Sequence, residues 1–167
     1  MERVITLEKL TALRQTWRQA GQTIVFTNGC FDVLHRGHVE YLEQAKALGD
    51  ILIVGLNSDA SVRRLKGDTR PIVPQADRGL ILAALRAVDF VVPFDEDTPE
   101  RLIRELQPDV LVKGADYQVH EIVGHEVVLQ SGGKVMRIPL TPGRATTDII
   151  ATILARCSDS STRPGAK

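Results

Sequence analysis

Five short apolar runs, at residues 23–27, 51–56, 90–94, 110–113 and 135–139, alternate along the chain with helical patterns, and this alternation is what most restricts its fold. The runs read as nearly continuous apolar segments, as strands covered on both faces do. Helical patterns fall at 7–18, 39–48, 59–65, 77–87, 99–106 and 121–130, and a last one runs from Thr146 or Thr147 to Arg156. Gly49-Asp50, Gln107-Pro108 and Gly132-Gly133 close helices where a new strand is due. Strand following helix in this order predicts an α/β fold. The expected form is a Rossmann-like open parallel sheet with helices on both faces, and a ligand at the carboxyl ends of its strands. In the first helix Leu7, Leu10, Leu13 and Trp17 form a stripe suited to core packing, with Thr6 or a neighbour as its cap. That stripe fits either the sheet face or a subunit interface.

A chain of 167 residues can bury one good core and is too short for two ordinary domains. One domain is therefore expected over 1–157, followed by a polar, disordered tail over 158–167. The 21 basic and 21 acidic side chains cancel, so no global field favours nucleic acid or an anionic membrane. The start, Met1-Glu2-Arg3-Val4, lacks the basic-then-apolar pattern of a signal peptide, and no apolar run approaches a membrane span. A cytoplasmic location is expected. Two cysteines, Cys30 and Cys157, make no disulfide framework.

The densest chemistry lies in Thr27-Asn28-Gly29-Cys30-Phe31-Asp32-Val33-Leu34-His35-Arg36-Gly37-His38, between the first strand and the helix after it. At such a turn the backbone N–H groups of the new helix are unpaired and its dipole favours negative charge, which suits a phosphate. His35 and His38 are three apart; if the helix begins near residues 34–36, both imidazoles share its first turn. Gly37 leaves room for a ligand to reach the backbone. Attack at phosphorus wants this arrangement, because charge spreads over the phosphoryl oxygens and needs fixed donors around it.

Other chemistries fit less well. Zinc would need a third and fourth ligand, and His120 and His125 stand in another segment without a cysteine pattern, so no metal ligands are assigned. Cys30 has no acid–base pattern beside it that would make it a nucleophile; its small size suits a turn that a ligand passes. A dinucleotide turn would read G-x-G-x-x-G, but Gly29 is followed by Cys30, Phe31 and Asp32. A P-loop is absent too, since Gly133-Lys134 is followed by Val135.

The motif resembles that of the H-x-G-H nucleotidyltransferases, and the resemblance extends over roughly residues 3–156. It includes Gly55-Leu56-Asn57-Ser58-Asp59, Val62-Arg63-Arg64-Leu65-Lys66-Gly67, Arg70-Pro71-Ile72, Val88-Asp89, Thr98-Pro99-Glu100 and the run Pro108 to Tyr117. In that order these segments are similar to the adenylyltransferase domain of the heptose-phosphate enzymes that make ADP-heptose for bacterial lipopolysaccharide.

The resemblance implies a fold of the nucleotidyltransferase type and a set of roles. His35 and His38 would stabilise the transition state at the α- and β-phosphates, and Lys66 would swing a mobile charge over the triphosphate. Asn28, Gly29, Cys30, Phe31, Gly37, Arg78, Lys113, Gly114, Asp116, Thr146 and Thr147 would line the nucleotide site. Asp32, Asp59 and Tyr117 would face the sugar phosphate, although Asp59 also suits a helix cap. Relatives usually carry Ser-Thr-Thr where this chain has Ala145-Thr146-Thr147, so one hydroxyl is missing; Arg144 beside it is either a phosphate partner or a surface arginine. The implied reaction moves AMP from ATP, with Mg²⁺, to D-glycero-β-D-manno-heptose 1-phosphate. The nearest alternative is a cytidylyltransferase acting on glycerol 3-phosphate or a related alcohol phosphate; a non-catalytic nucleotide-binding module is a third. Related enzymes are often homodimers, and a separate sugar kinase upstream is expected to supply the sugar 1-phosphate.

Overall fold

A computed structural model describes residues 2–158, with side-chain surroundings described as far as Cys157. Helix α1 (Leu7–Gln19) leads into strand β1 (Ile24–Gly29), followed by α2 (Arg36–Lys46), β2 (Ile51–Asn57), α3 (Asp59–Lys66), α4 (Gln75–Ala84) and β3 (Phe90–Phe94). Then come α5 (Glu100–Leu106), β4 (Val110–Gly114), a 3₁₀ turn at Val119–Glu121, α6 (His125–Gln130), β5 (Lys134–Ile138) and α7 (Thr146–Ser158). The five strands form one parallel sheet in the order β3-β2-β1-β4-β5. This is the Rossmann-like α/β sheet expected of the alternation. Helix α7 reaches one residue into the expected tail; residues 159–167 lie outside the described residues.

Successive strand residues point to opposite faces, so the sheet carries two cores. Ile24, Phe26, Ile53, Val92 and Leu111 pack against Leu7, Leu10 and Trp17 of α1, Leu102, Ile103 and Leu106 of α5 and Val128 of α6. Val25, Leu52, Val54, Val110 and Val112 pack against Tyr41, Leu42 and Ala45 of α2 and Leu82 of α4. The stripe of α1 thus covers the sheet, which settles the choice left open above. Thr6 caps that helix, its Oγ1 accepting from Lys9 N at 3.4 Å.

Three aspartates fasten strand starts. Asp50, Asp89 and Asp109 each precede a strand, and their carboxylates accept from the N–H groups of Thr23, Leu52 and Ile24 at 2.7–2.8 Å. The outer edge of β3 is covered by the N-terminal segment, where Ile5 N donates to Val91 O and Val91 N to Arg3 O.

Several element boundaries differ from expectation. The helix expected at 121–130 is broken by Gly124, which takes φ +84°; a Cβ there would press on Ile103 at 2.6 Å, so glycine is required. Helix α4 begins at Gln75 instead of 77 and ends at Ala84, because Leu85 turns to extended backbone before β3. Helix α2 begins at Arg36 instead of 39, and this brings the second histidine of the motif inside its first turn.

The chain runs β1-β2-β3 toward one edge, then restarts on the other side of β1 with β4. The reversal between β1 and β4 is a topological switch point, where open α/β sheets bind ligands. Strands β1 and β2 pair at six positions from Ile24 to Gly29, but β1 and β4 only at Val25↔Val110 and Phe26↔Leu111. Beyond Phe26 the two strands no longer pair, as at the ligand crevice of an open α/β sheet.

Candidate active site

Asn28, next to last in β1, stands where the strands have parted, and its Oδ1 is buried without a hydrogen-bond partner. The chain then turns sharply. Phe31 adopts φ +45°, a left-handed conformation that a residue with a Cβ rarely takes, and its ring lies 5.3 Å from that of His38. His35 is the N-cap of α2, with extended backbone, and its carbonyl accepts from His38 N at 2.9 Å. The two imidazoles stack with centroids 3.9 Å apart and planes 24° apart. The Nδ1 of each is buried and unpaired.

Burial, and then the neighbouring His35, pushes His38 down to about 4. His35 is also lowered, by burial and by Arg144, against an opposing pull from Asp148. Both rings are therefore neutral near pH 7, and each offers one N–H donor. Gly37 makes the packing feasible, since a Cβ there would meet the His35 ring at 3.1 Å and Arg144 Cβ at 3.2 Å.

On the other side of the crevice Lys113 of β4 donates from Nζ to Asn28 O at 3.1 Å, and its ammonium lies 5.8 Å from the Tyr117 ring centroid. Burial pushes this lysine down to about 8. A Cβ at Gly114 would meet the exposed Asp116 carboxylate in its present position. Asp116 and Tyr117 are exposed at the mouth. At the start of α7 Thr146 donates from Oγ1 to Val33 O at 3.2 Å, while Thr147 is exposed. Thr141 donates to Glu40 of α2 at 2.5 Å, which ties the β5–α7 loop to the histidine helix.

Three of the expected site residues are held by protein partners. Arg78, expected at the nucleotide, is 1 % exposed and fully engaged by protein. Its Nε donates to Val73 O at 2.9 Å, Nη1 to Cys30 O at 2.5 Å, and Nη2 to Asn57 O at 3.0 Å and Asp59 Oδ1 at 2.7 Å. One guanidinium thus stitches the histidine turn to the end of β2 and the start of α3. Asp59 is its ion-pair partner, and the cap of α3 is Ser58, whose Oγ accepts from Ser61 N at 3.0 Å.

Asp32, expected at the sugar, has a side chain only 1 % exposed. It accepts from Arg70 Nε at 2.5 Å and from Ile72 N and Val73 N at 2.8 Å each. Burial alone would raise this carboxyl, but the Val73 and Ile72 N–H groups and Arg70 outweigh it and hold it below the ordinary range. Asp32 therefore clamps residues 70–73 to the turn. These residues follow Lys66, which ends α3, is exposed, and has no ion pair among the described residues. The carboxylates of Asp32 and Asp59 are both taken by arginines, and no cluster of three His, Cys, Asp or Glu is placed to hold a metal among the described residues.

The turn after β1, the end of β2 with α3, the end of β4 and the start of α7 all meet at this one edge of the sheet, as their order in the sequence predicts. Unforeseen were the clamp through Arg70 and the Glu40–Thr141 tie. The position of Arg78, four before Leu82 on the buried face of α4, was the available signal for its burial.

The sequence features of this edge are shared. Residues 26–162, from β1 through α7, match the family described as Cytidylyltransferase-like. The chain belongs to that family. Among cytidylyltransferase-like relatives, a protein of Pectobacterium carotovorum named bifunctional protein HldE is 56% identical over 157 residues, covering 94% of this chain and 33% of its own length. The HldE of Halorhodospira halophila is 57% identical over 147 residues, covering 88% of this chain and 31% of its own. The chain thus spans about a third of the length of the curated relatives it matches. A crystal structure of a lipopolysaccharide core biosynthesis protein from Thermoplasma volcanium aligns with TM-score 0.60 at 29% identity, over 72% of this chain and 98% of that one. A pantoate-beta-alanine ligase from Francisella tularensis aligns with TM-score 0.59 at 16% identity, over 91% and 77%, a likeness of fold alone. No helix among the described residues of this cytidylyltransferase-like chain is long and apolar enough to cross a membrane.

Proposed function

We propose that this chain is a nucleotidyltransferase that moves AMP from ATP to D-glycero-β-D-manno-heptose 1-phosphate, giving ADP-heptose and pyrophosphate. One observation carries the reaction class. Two stacked, neutral imidazoles and an amide oxygen stand unpartnered at the crevice where β1 and β4 part. Unpaired buried polar atoms are costly, so their presence together favours a ligand that completes them. The choice of sugar rests on the resemblance of the Lys113-Gly114-Ala115-Asp116-Tyr117 segment and its companions to ADP-heptose enzymes, and on the identity to the HldE proteins.

In this reading a phosphate oxygen of the acceptor attacks the α-phosphorus. A new P–O bond forms, the bond to the β-phosphate oxygen breaks, and its electrons leave with pyrophosphate. The acceptor is already an anion, so no general base is needed. His35 and His38 donate to phosphoryl oxygens as charge builds, and being neutral they need not shed a proton first. Lys66 brings a mobile cation from the end of α3. Lys113 holds the nucleotide side through its ammonium; Gly29, Cys30, Phe31 and Gly37 supply backbone and space; Thr146 and Thr147 supply hydroxyls at α7; Tyr117 and Asp116 stand at the mouth for the sugar. Mg²⁺ held on the triphosphate would neutralise part of its charge. A homodimer and a kinase activity that makes the sugar 1-phosphate belong to the same proposal.

The test is pyrophosphate release with Mg²⁺, comparing ATP and CTP, each with heptose 1-phosphate, glycerol 3-phosphate or no acceptor. Release with ATP and the heptose phosphate alone is expected. The family description favours checking CTP, and release with CTP and glycerol 3-phosphate would replace the proposal with a cytidylyltransferase.

A further inference from the structure

Helix α4 is apolar on both of its faces. Inward, Arg78, Gly79 and Leu82 are buried. Outward, Ala76, Leu80, Ile81 and Ala84 are exposed, Leu80 to 69 % and Ile81 to 45 %, and Ile72 shortly before the helix is 56 % exposed. With a residue every 100°, Ala76, Leu80 and Ala84 fall on one stripe and Ile81 lies beside it. Single exposed apolar residues are ordinary, but here they adjoin one another over two turns. Of the charged residues in α4, Arg78 is buried and only Asp77 is left outside. A helix that is apolar all round is one covered on both sides, and no described segment of this chain covers the outer one.

This stripe is complementary to itself. Asp77 stands in the first turn of α4 and makes no ion pair among the described residues. Arg86, just past the other end, has a side chain 95 % exposed, with a 3.8 Å contact to Glu43 as its ion pair. Two copies of α4 laid antiparallel about a twofold axis near Leu82 set Leu80 of each copy opposite Ala84 of the other, and Asp77 of each opposite Arg86 of the other. Large then meets small, acid meets base, and the helix dipoles oppose. A parallel pairing would instead bring like charges together at both ends of the stripe. The charge pattern therefore favours a second copy of this chain, in one orientation, as the cover.

We propose that two copies of this chain pair through the outer faces of α4, antiparallel about a twofold axis, with Leu80 at the centre of the contact and Asp77 and Arg86 closing its ends. This rests on the homodimer of the functional reading and gives it an interface; it does not depend on the reaction. Sedimentation velocity over a dilution series at low ionic strength measures dimerisation of the full chain and of its Leu80→Glu, Asp77→Arg and Arg86→Asp variants. Met136→Glu, on the exposed edge strand β5, is the control. All four positions are exposed, and circular dichroism checks that each variant is folded. The unaltered chain and Met136→Glu should dimerise alike. Leu80→Glu should weaken the dimer about thirtyfold or more, as loss of a central contact does. Asp77→Arg and Arg86→Asp should each weaken it about tenfold, because like charges then meet at both ends. Mixed in equal amounts these two variants should recover the dimer, since in the mixed pair both ends join opposite charges. Should Leu80→Glu fail to fold, the charge pair alone decides. An unaltered chain that stays monomeric at every concentration, or a dimer indifferent to a folded Leu80→Glu, overturns the proposal and leaves the face to another occupant. A mixture that does not recover the dimer overturns the antiparallel pairing. Pyrophosphate release by the unaltered chain is measured alongside, so failure of the interface and failure of the nucleotidyl-transfer reading are told apart.

Discussion

Asp32 separates two accounts of this site, and substituting it tells them apart. Its two carboxylate oxygens receive three donors, Arg70 Nε, Ile72 N and Val73 N, in a side chain 1 % exposed. In Asp32→Ala all three are left in a dry environment and the Arg70 charge loses its partner. Breaking one side of a buried pair costs about 3–5 kcal/mol. In Asp32→Asn the shape survives, but an amide must turn its NH₂ toward at least one of three donors, at a cost of about 2–3 kcal/mol. Urea unfolding followed by far-UV circular dichroism should show both midpoints lowered, alanine more than asparagine, with the slope unchanged. Release of residues 70–73 also loosens the chain that follows Lys66. Turnover should therefore fall by about 10²-fold, as a misplacement of about an ångström does, while the KM for the sugar phosphate holds. The depressed carboxyl adds a pH signature. Its stabilisation is present above the unfolded value of about 3.9 and is lost as pH falls through the lower folded value, and Asp32→Asn should lack that component. If Asp32→Asn keeps native stability and raises only the KM for the sugar phosphate, the clamp is wrong and the carboxylate faces the acceptor.

His35→Ala and His38→Ala should each lower kcat by about 10²–10³ with the fold intact by circular dichroism, and near-native turnover in a folded variant would remove that residue from the chemistry. His38, pushed down to about 4, binds fewer protons folded than unfolded between that value and its ordinary 6.5. Stability should therefore fall as pH drops through this window, by on the order of 2 kcal/mol after allowance for the ring's partial exposure, and His38→Asn should flatten the slope in pH-dependent urea titrations. Lys113, pushed down to about 8, loses its charge above that pH. The KM for ATP should rise from pH 8 to 10 in the native chain, whereas Lys113→Met should start weak and show no such rise.

The sheet was legible because buried parallel strands leave an unmistakable trace. Runs such as Ile51 to Leu56 are apolar throughout because residues on both faces are covered, and the five runs recur as the five strands, although the edge strand β5 is mostly exposed. The location of the site was legible for a related reason: in an alternating α/β chain, whatever follows a strand lies at the carboxyl edge, so the segments with histidine, lysine and threonine had to meet. What could not be read was the division of labour among charged residues there. Arg78, Asp32 and Asp59 look from sequence like ligands of a phosphate or sugar, because an unpaired charge belongs near water or a substrate. Arg78 and Asp32 are buried because each offsets its desolvation with protein partners far along the chain, Arg78 with Cys30 and Asn57 and Asp32 with Ile72 and Val73, while the half-buried Asp59 is held by Arg78. Those partners depend on tertiary placement that no spacing rule encodes. The converse holds for Asn28, His35 and His38, which keep buried polar atoms without partners. A carboxylate or guanidinium saturated by the chain serves the frame, while an orphaned amide or imidazole in the same crevice is available to a ligand.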